Sequence, residues 1–442
     1  MRIAIIGSGI AGNAAALALT LGNATNDVVI YEKSDRPGGH SATVDVDYDG
    51  HKIPVDTGFI VYNEQNYPNF TAMMEFLGVE TQMSSMSFSV SADLGRYEWC
   101  GRDGGLDRNG LDVVDGLFAQ RRNFFSPKHL KMLLEILKFQ KQATLDVRGG
   151  TVGEGTLRDY FTRYKFSNNL RDNYLVPMGA AIWSTSPKQM LDFPARSFFE
   201  FFDNHCLLQW QRPIWRTVTG GSRSYVKKLV AHFGNKLRLS SGVTSVRRLA
   251  NGVEVTDETG RCEIFDQVVI GAHAPDALAM LADADDQERA ILGACNYSDN
   301  DVWLHRDAGL MPKRKAAWAA WNFLREGDAS ERKVAVTYWM NELQGINKDY
   351  PLFVTLNPPR EPKPETVFGR WSFAHPQFDS AALSARDRLS EIQGRRNVWF
   401  CGAWTAHGFH EDGLASGLAV AAALGCKAPW HVQDPAWREA AE

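Results

Sequence analysis

The feature that most constrains this chain is a glycine-rich turn directly after an apolar N-terminal run. The four residues Ile3–Ile6 are all apolar, and the sequence Gly-Ser-Gly-Ile-Ala-Gly follows them without a spacer. This pattern predicts a buried strand, a tight turn and a helix over about 13–21. We expect Gly7 to permit the turn, Gly9 to admit a pyrophosphate, and Gly12 to let the helix pack on its strand.

A second apolar run ends in an acid. Val28–Tyr31 is followed directly by Glu32, at the spacing where a carboxylate accepts both ribose hydroxyls of an adenosine. The free N–H groups of the first helix would hold the phosphates. Together the two runs predict a dinucleotide site, with a turn that merely opens a buried helix as the alternative.

The next residues favour FAD over NAD. A basic residue, Arg36, precedes the pair Gly38 and Gly39, so a second glycine turn follows the ribose-binding acid within a few positions. Such a turn suits a longer ligand whose phosphates and ribityl chain approach the backbone closely. A further strand-like run, 55–60, is broken by Gly58.

The C-terminal part repeats the pattern of a strand followed by a helix. Residues 397–402 predict a strand ending in glycine, and 413–422 a helix of small residues that begins after His410, Glu411 and Asp412. We expect its N-terminus to face the flavin, because a helix dipole stabilises the charge of a reduced flavin. A plain C-terminal helix packed through glycines is the alternative.

Composition sets the outer limits. With 442 residues and 44% hydrophobic content, the chain can bury a large core and should form two domains. A net charge of −4 gives no overall reason to bind nucleic acid. The six cysteines are scattered without a CxxC pair, which predicts reduced thiols, no disulfide framework and no metal site. Since the first strand begins at residue 2 and no apolar run approaches 18 residues, we expect no leader and no membrane span, and hence a cytoplasmic protein.

The chain alternates between two compositions, which predicts an α/β fold with a Rossmann-like, discontinuous FAD-binding domain and an α+β substrate domain of mixed sheet and helices. The FAD-binding domain is assigned to 1–83, 212–294 and 395–430, the substrate domain to 84–211 and 295–394, and a tail to 431–442.

A basic helix is predicted over 127–147, with leucines 130, 133, 134 and 137 on one stripe. Lysines 128, 131, 138 and 141 decorate it. Two interpretations stay open, namely a solvated surface helix and a patch that rests on anionic lipid headgroups.

An aromatic segment follows at 180–216. Most of its rings should be core, but the polar triplet 203–205 must find partners or face a cavity. We therefore place Trp183, Asn204 and His205, together with Trp404, in a substrate pocket.

The order of these motifs resembles the flavin-containing amine oxidase superfamily, which includes monoamine oxidases, protoporphyrinogen oxidase and phytoene desaturases. The motifs are GSGIAG, Glu32, RPGG, DTGF, the TGGS helix with Val243, and the terminal FCGAWTAHGFHEDGLASGLAVAA. The resemblance covers the whole chain and implies bound FAD. It implies FAD contacts at Gly7, Ser8, Gly9, Ile10, Ala11, Gly12, Glu32, Lys33, Arg36, Gly38, Gly39, His40, Thr57, Gly58, Phe59, Val243, Gly402, Ala403, Gly413, Leu414 and Ser416.

Two positions depart from the superfamily pattern. His40 stands where an arginine is common, and Ala403 stands where an acid is common, which argues against a typical amine oxidase. Neither the flavin-facing lysine nor the covalent cysteine of monoamine oxidases can be placed, so we expect non-covalent FAD.

Within the superfamily, AIWSTSP, FFDNH, WRTVTGGS and GFHEDGL resemble a bacterial subgroup similar to flavoproteins that act on membrane phospholipid acyl chains. This implies a desaturase or dehydrogenase that passes hydride to flavin N5, with His205, His410 or Glu411 as proton acceptor. The alternatives are an amine oxidase that produces hydrogen peroxide and a flavin-bound regulatory protein without turnover. No second GxGxxG follows a strand, so we expect electrons to leave to oxygen, a quinone or a redox protein.

Overall fold

The computed structural model of this chain describes residues 1–102, 110–183, 185–208, 213–326 and 335–431. The predicted boundary at 211/212 and all of the predicted tail except His431 lie outside these ranges. The strands are β1 Arg2–Ile6, β2 Asp27–Tyr31, β3 Thr43–Tyr48, β4 His51–Asp56, β5 Val61–Asn63, β6 Thr81–Met83, β7 Ser87–Ala92, β8 Tyr97–Arg102, β9 Trp215–Val218, β10 Leu237–Arg238, β11 Val243–Leu249, β12 Gly252–Asp257, β13 Cys262–Phe265, β14 Gln267–Ile270, β15 Tyr297–His305, β16 Trp321–Arg325, β17 Ala335–Trp339, β18 Phe353–Leu356, β19 Val367–Pro376 and β20 Val398–Phe400.

The helices are distributed along the whole chain and include one of 22 residues. They are α1 Ile10–Gly22, α2 Pro68–Phe76, α3 Gly110–Leu117, α4 Pro127–Arg148, α5 Leu157–Tyr164, α6 Asn168–Leu170, α7 Val176–Trp183, α8 Pro187–Leu191, α9 Ala195–Asn204, α10 Arg223–Val230, α11 Ala274–Met280, α12 Asp286–Leu292, α13 Met340–Leu343, α14 Ser380–Asp387 and α15 His410–Ala423. Among these described helices, none is both long and apolar enough to cross a bilayer.

A parallel sheet of five strands has the order β10-β2-β1-β14-β20. Its central strand β1 pairs Ile3 with Val28 of β2 on one side and with Gln267 of β14 on the other. Because parallel strands end at the same edge, the residues that follow β1, β2, β14 and β20 meet there. Segments more than 360 residues apart in sequence therefore build one edge.

A second sheet of seven strands has the order β19-β15-β18-β17-β16-β7-β8. Its pairings are antiparallel apart from the parallel pair β16 and β7. Smaller sheets are β11-β12-β13, β5-β9-β6 and β3-β4. Every strand of the parallel sheet falls in the predicted FAD-binding segments and every strand of the seven-stranded sheet in the predicted substrate segments, while the boundaries themselves remain a prediction.

Buried side chains form three packing clusters. One covers the seven-stranded sheet and the helices between α4 and α9, and is rich in phenylalanine, including Phe139, Phe198, Phe199 and Phe202. The other two lie on opposite faces of the parallel sheet, one with α1 and α15 and the other with β11–β13 and α11. Burial of apolar surface on both faces explains the near-continuous apolar runs of β1 and β2.

Candidate functional site

The first glycine turn lies at the carboxyl edge of the parallel sheet. Gly7 has φ of 97°, and its N–H donates to the carbonyl oxygen of Tyr31 at 2.7 Å. A methyl group on Gly12 would lie 1.9 Å from the carbonyl oxygen of Gly7, whereas one on Gly9 would meet no atom within 4 Å. Gly7 and Gly12 are thus required by the fold, while Gly9 leaves open space at the N-terminus of α1, where a phosphate would approach.

The acid at the end of β2 is held against this turn. The Oε2 atom of Glu32 accepts hydrogen bonds from the backbone N–H and the hydroxyl of Ser8 at 2.9 and 2.7 Å, and its Oε1 accepts from the N–H of Ser34 at 2.9 Å. The side chain is buried. Glu32 therefore stands at the sheet edge beside the first turn, and its contact with a ribose stays a prediction.

The neighbours of Glu32 also gather at this edge. A methyl group on Gly242, which precedes Val243 at the start of β11, would lie 3.2 Å from Cβ of Lys33. Lys33 itself is exposed and lies 3.7 Å from the carboxylate of Asp276. The structure thus brings the predicted Val243 segment to Lys33, the residue after Glu32.

The second glycine turn packs on the first. The N–H of Gly38 donates to the carbonyl oxygen of Ser8 at 2.9 Å, and a methyl group on Gly39 would lie 3.2 Å from Cα of Gly9. The guanidinium of Arg36 donates to the carbonyl oxygen of Gly39 at 3.0 Å and remains exposed. The two turns, which the sequence predicted separately, form one backbone cradle.

The DTGF segment closes on this second turn. The N–H of Phe59 donates to the carbonyl oxygen of His40 at 2.9 Å, and that of Thr57 donates to Ala42 at 2.8 Å. A methyl group on Gly58 would lie 2.1 Å from the His40 oxygen. Gly58 therefore permits a backbone contact that any side chain would block.

The terminal helix begins three residues earlier than predicted, at His410 rather than Gly413. The carboxylate of Asp412 accepts hydrogen bonds from the N–H groups of Phe409 and His407 at 2.9 and 3.1 Å. This acid at the third helical position caps the helix, so the polar residues taken as a preceding loop form its first turn.

Helix α15 packs directly on α1. A methyl group on Gly413 would lie 2.8 Å from Cγ2 of Ile10, and one on Gly417 would lie 2.1 Å from the carbonyl oxygen of Ala11. The side chain of Leu414 is fully buried in the same cluster. The first and last predicted FAD-binding segments therefore meet in one groove.

The turn after β20 is tied to α15 by one hydroxyl. The Ser416 hydroxyl accepts a hydrogen bond from the N–H of Gly402 at 2.9 Å and donates to the carbonyl oxygen of Gly413 at 2.7 Å. The N–H of Ala403 lies 3.5 Å from where a methyl group on Gly413 would be. The four predicted positions thus form one local unit at the sheet edge.

His410 lies where the glycine loops and the terminal helix meet. Its ring stacks on Phe59 with centroids 3.8 Å apart, and its Nε2 is hydrogen bonded to the hydroxyl of Tyr225 at 2.8 Å. That hydroxyl is also hydrogen bonded to Ser41. Burial, with a smaller effect of His40, lowers the pKa of His410 to about 3, so the imidazole is neutral at pH 7.

Glu411 faces another way. Its Oε1 accepts hydrogen bonds from the backbone and side-chain amides of Asn69 at 3.0 and 2.9 Å, and its Oε2 accepts from the N–H of Phe70 at 2.9 Å. These amides belong to the first turn of α2, so Glu411 caps that helix from a distant part of the chain. Burial raises the pKa of the carboxyl to about 7 against the effect of these hydrogen bonds.

A grouping of three histidines was missed by the sequence analysis, which named only His40 among them. The ring of His40 lies 6.1 Å from that of His273, which precedes α11, and 5.8 Å from that of His375 on β19. Burial and the neighbouring histidines lower the pKa of His40 to about 3, and that of His375 to about 4. Within the described ranges no group of His, Cys, Asp or Glu side chains has an arrangement that could hold a metal ion. The departure at position 40 was the only signal in the sequence.

His205 lies in an aromatic group between α9 and the start of α15. Its ring stacks on Phe201 at 3.8 Å, and Phe201 stacks on Phe409 at 4.8 Å. Its Nδ1 lies 3.0 Å from the carbonyl oxygen of Phe201, and burial lowers its pKa to about 3. A neutral imidazole in this group connects the substrate segments to the residue that precedes His410.

The other three predicted pocket residues are placed differently. Trp183 is buried among Phe193, Phe198 and Phe201. Asn204 is half-buried, and its backbone oxygen accepts a hydrogen bond from Asn66 at 2.6 Å. Trp404 is packed in the core cluster beside β14 and β20, where its indole donates to the Ala272 oxygen at 3.3 Å. The structure therefore does not bring Trp404 together with His205.

Asp56 of the DTGF segment is a second residue that the sequence analysis missed. Its Oδ1 accepts hydrogen bonds from the hydroxyls of Thr43 and Ser222 at 2.6 and 2.8 Å, and its Oδ2 accepts from the amide of Gln344 at 3.1 Å. Burial raises its pKa to about 6. Asp56 joins the DTGF and TGGS segments to the residue after α13, and the pairing of these two motifs was its only signal.

The sequence matches one known protein family. The profile of the family described as flavin containing amine oxidoreductase matches residues 10–294. Comparison with curated protein sequences gave no significant match.

Similar solved structures cover almost the whole chain. They include cyclohexylamine oxidase from Brevibacterium oxydans, with a TM-score of 0.67, 15% identity, and coverage of 96% of this chain and 98% of that one. A fatty acid isomerase from P. acnes has a TM-score of 0.64, 16% identity, and coverage of 94% and 96%. A structure described as a putative protoporphyrinogen oxidase from Exiguobacterium sp. has a TM-score of 0.62, 14% identity, and coverage of 96% and 98%. Likeness at this level of identity establishes the fold, a Rossmann-like FAD-binding domain with a substrate domain.

Proposed function

The chain belongs to the flavin containing amine oxidoreductase family, and from this premise we propose that it removes hydrogen from the acyl chain of a lipid. Membership makes the protein an FAD-dependent oxidoreductase. The lipid substrate, the proton acceptor and the site of action are our proposals. Fold likeness alone would support several chemistries, so they are argued from this chain's residues.

The residues at the sheet edge fit FAD. The open space at Gly9, the buried acid Glu32 and the backbone cradle of Gly38 and Gly39 match a pyrophosphate and a ribose. We propose that the cofactor is held without a covalent bond, as the sequence analysis expects. When bound, FAD accepts two electrons as a hydride, and these leave later to oxygen, a quinone or a redox protein.

The aromatic group of His205, Phe201 and Phe409 is the observation that carries the proposal. It lies between α9 and the first turn of α15, next to the ring of His410 in sequence. Its one polar side chain is a neutral imidazole. An uncharged acyl chain is held by burial against such rings. The similarity to a fatty acid isomerase structure supports the same substrate class.

We assign the proton acceptor to His410. Removal of two hydrogens from adjacent carbons leaves a carbon–carbon double bond, one hydride for the cofactor and one proton for a base. The imidazole of His410 is neutral and so has a free nitrogen lone pair, and it joins a hydrogen-bonded chain through Tyr225 to Ser41 along which an accepted proton can pass on. Glu411 is engaged in capping α2, and His205 is the second candidate.

Anaerobic reduction tests this function. Oxidised enzyme is mixed with detergent-dispersed phospholipids carrying methyl-branched or unsaturated chains, and flavin absorbance and acyl-chain mass are followed. We expect bleaching and a product two hydrogens lighter, and His410→Gln should slow bleaching at least roughly hundredfold. The matched control His232→Gln changes an exposed histidine of the FAD-binding segments and should behave as wild type. Failure of every phospholipid to bleach the flavin would refute the lipid substrate.

An amine oxidase is the second candidate function. Aromatic rings also attract cations, and similar structures include cyclohexylamine oxidase and putrescine oxidase. A screen of monoamines and polyamines for hydrogen peroxide separates the two functions. A flavin that resists both substrate classes and small reductants would instead favour a regulatory protein without turnover.

We also propose that the protein meets its lipid substrate at a membrane surface, because an acyl chain that belongs to a phospholipid is presented to the protein there.

A further inference from the structure

Helix α4 presents to solvent three leucines of the stripe that the sequence pattern identified, together with Leu145. Leu130, Leu134, Leu137 and Leu145 are 40%, 69%, 49% and 59% exposed. The opposite face is anchored in the core through Met132, Phe139 and Ala143, so of the predicted stripe only Leu133 packs inward, and only in part. A row of four exposed leucines on one helix face is an exposed apolar patch that requires an explanation.

The exposed surface of α4 is basic. Among its exposed positions are Lys128, Lys131, Lys138, Lys141 and Arg148, and none of the exposed positions of α4, all of them described, is acidic. Two of these cations have partners, since Lys131 lies 3.8 Å from Glu135 and Arg148 lies 3.3 Å from Asp203. An exposed leucine stripe flanked by lysines is typical of helices that lie in a membrane interface.

The turn before α4 extends this surface. Phe125 is 88% exposed and Phe124 is 41% exposed at the end of the 3₁₀ turn Arg121–Phe125. Phe124 is supported by a stacked contact with Phe118 at 3.9 Å. We define the α4 patch as Phe124, Phe125, Lys128, Leu130, Lys131, Leu134, Leu137, Lys138, Lys141, Leu145 and Arg148.

A cavity adjoins the N-terminal end of the patch and has the same charge. It has a volume of about 980 Å³, and Lys128 and Lys131 line it together with Arg158, Arg171 and Lys188. Its lining includes six basic side chains and two acidic ones, Asp93 and Asp172. Both the apolar patch and the cavity beside it thus favour a partner that is apolar with an anionic rim.

We propose that the α4 patch docks on an anionic phospholipid bilayer, with the leucine and phenylalanine side chains in the interface and the lysines against lipid phosphates. The cavity beside it takes an anionic headgroup. This deepens the proposed function by naming the surface at which the protein meets a lipid substrate. Only the purpose of the contact rests on that function, since the docking is argued from the α4 patch itself.

Vesicle cosedimentation of the FAD-loaded protein tests the docking. We expect binding to vesicles of phosphatidylcholine with 30% phosphatidylglycerol, and little binding to phosphatidylcholine alone, because the patch is cationic. Binding should weaken between 0.05 and 0.5 M salt as charges are screened. Absence of binding to anionic vesicles at low salt would overturn the proposal.

Two triple variants separate the charged and apolar contributions. Lys128→Gln with Lys138→Gln and Lys141→Gln should weaken vesicle binding roughly a hundredfold, at about tenfold or less per lysine. The change Phe125→Ser with Leu134→Ser and Leu137→Ser should weaken it at least as much. All six side chains are exposed, so thermal stability and FAD content should remain those of the wild type.

Matched controls carry the same changes elsewhere on the surface. Lys52→Gln with Lys227→Gln and Lys427→Gln, and Leu239→Ser with Leu249→Ser and Ile264→Ser, alter exposed residues of the FAD-binding segments and should bind vesicles as wild type does. Equal loss in the control and patch variants would refute a localised docking surface.

The two proposals fail separately. Patch variants that lose vesicle binding should still be bleached by detergent-dispersed substrate if the lipid function is correct. If the protein binds vesicles but no lipid reduces its flavin, the docking proposal is supported and the lipid-substrate proposal is wrong. If the patch instead pairs two copies of this chain, light scattering will show a dimer that the serine variant dissociates, and the membrane proposal is then wrong.

Discussion

The edge of the parallel sheet and the region around α9 differ in whether backbone or side chains line them. At the edge of the parallel sheet the backbone forms the site, since methyl groups on Gly12, Gly58 or Gly417 would lie about 2 Å from carbonyl oxygens, at 1.9, 2.1 and 2.1 Å. Around α9 the side chains form the proposed substrate site, and rings of one type serve both as core and as its proposed wall near His205. The comparison teaches that a site formed by glycine backbone can be recognised from a short stretch of sequence. A site formed by aromatic rings cannot, because its identity depends on what packs against each ring.

The largest expected effect distinguishes two glycines of the same turn. Gly12→Ala places a methyl group against the backbone of Gly7 and should destabilise the protein by about 3 kcal/mol or more. Gly9→Ala meets no protein atom and has an ordinary φ of −68°, so stability without FAD should change by less than about 0.5 kcal/mol. Its affinity for FAD should fall at least roughly tenfold. Denaturant unfolding and FAD titration measure the two quantities, and unchanged FAD affinity in Gly9→Ala would contradict the phosphate assignment.

The next effect concerns Glu411, whose carboxylate accepts hydrogen bonds from the first turn of α2. Glu411→Gln replaces an acceptor by an N–H₂ group facing one of the amides of Asn69 or Phe70, which should cost about 1–3 kcal/mol. The exposed Glu75 of α2 provides the control Glu75→Gln. The midpoint of urea unfolding gives the result, and a variant as stable as the control would show that Glu411 does not cap α2.

A third prediction concerns pH and the histidines between the two halves. Burial lowers the pKa of His40 and His410 to about 3 and that of His375 to about 4. The unfolded chain therefore takes up protons first, and stability present above about pH 6.5 is lost as the pH falls toward 4. Asp56 and Glu411 act in the opposite direction, because their pKa values are raised to about 6 and about 7, so their contribution is lost as the pH rises through those values.

Replacement of one of these histidines should reduce by one the number of protons taken up when the protein unfolds. His375→Gln should reduce the slope of unfolding free energy against pH between 6 and 4.5 by about 1.4 kcal/mol per pH unit. Thermal melts of the FAD-loaded protein across this range test it. The exposed control His232→Gln should keep the wild-type slope, and an unchanged slope in His375→Gln would mean that the group is not held neutral.

The smallest expected effect tests whether Trp183 belongs to the wall or to the core. Its contacts are Phe193, Phe198 and Phe201, so Trp183→Phe should cost about 1–2 kcal/mol of stability and leave the apparent KM for substrate unchanged. His205→Gln should raise KM, and because the ring is buried against Phe201 it should also cost stability. A raised KM in Trp183→Phe would restore the predicted substrate contact.

Much of the cofactor edge could be predicted from the chain itself. Strand, turn and helix at β1 and α1, the acid after β2, and the return at β20 follow from apolar runs and glycine spacing, because each depends on neighbours within a few residues. The start of α15 was placed three residues late. The carboxylate of Asp412 caps the helix by accepting from N–H groups that precede it, so the helix begins before Asp412 rather than after it. The sequence left two interpretations of α4 open because periodicity identifies a stripe of leucines without stating what covers it.

The amino-acid sequence alone determined the two glycine turns, the acid that follows β2 and the alternation between the two sheets, since local sterics and hydrogen bonding dictate them. Only the tertiary structure decided that Glu411 caps α2, that three histidines from distant segments share one place, and that the leucines of α4 face solvent. The physical reason is that these facts depend on contacts between segments hundreds of residues apart, whose free energy is shared among many side chains and leaves no signal at any single position.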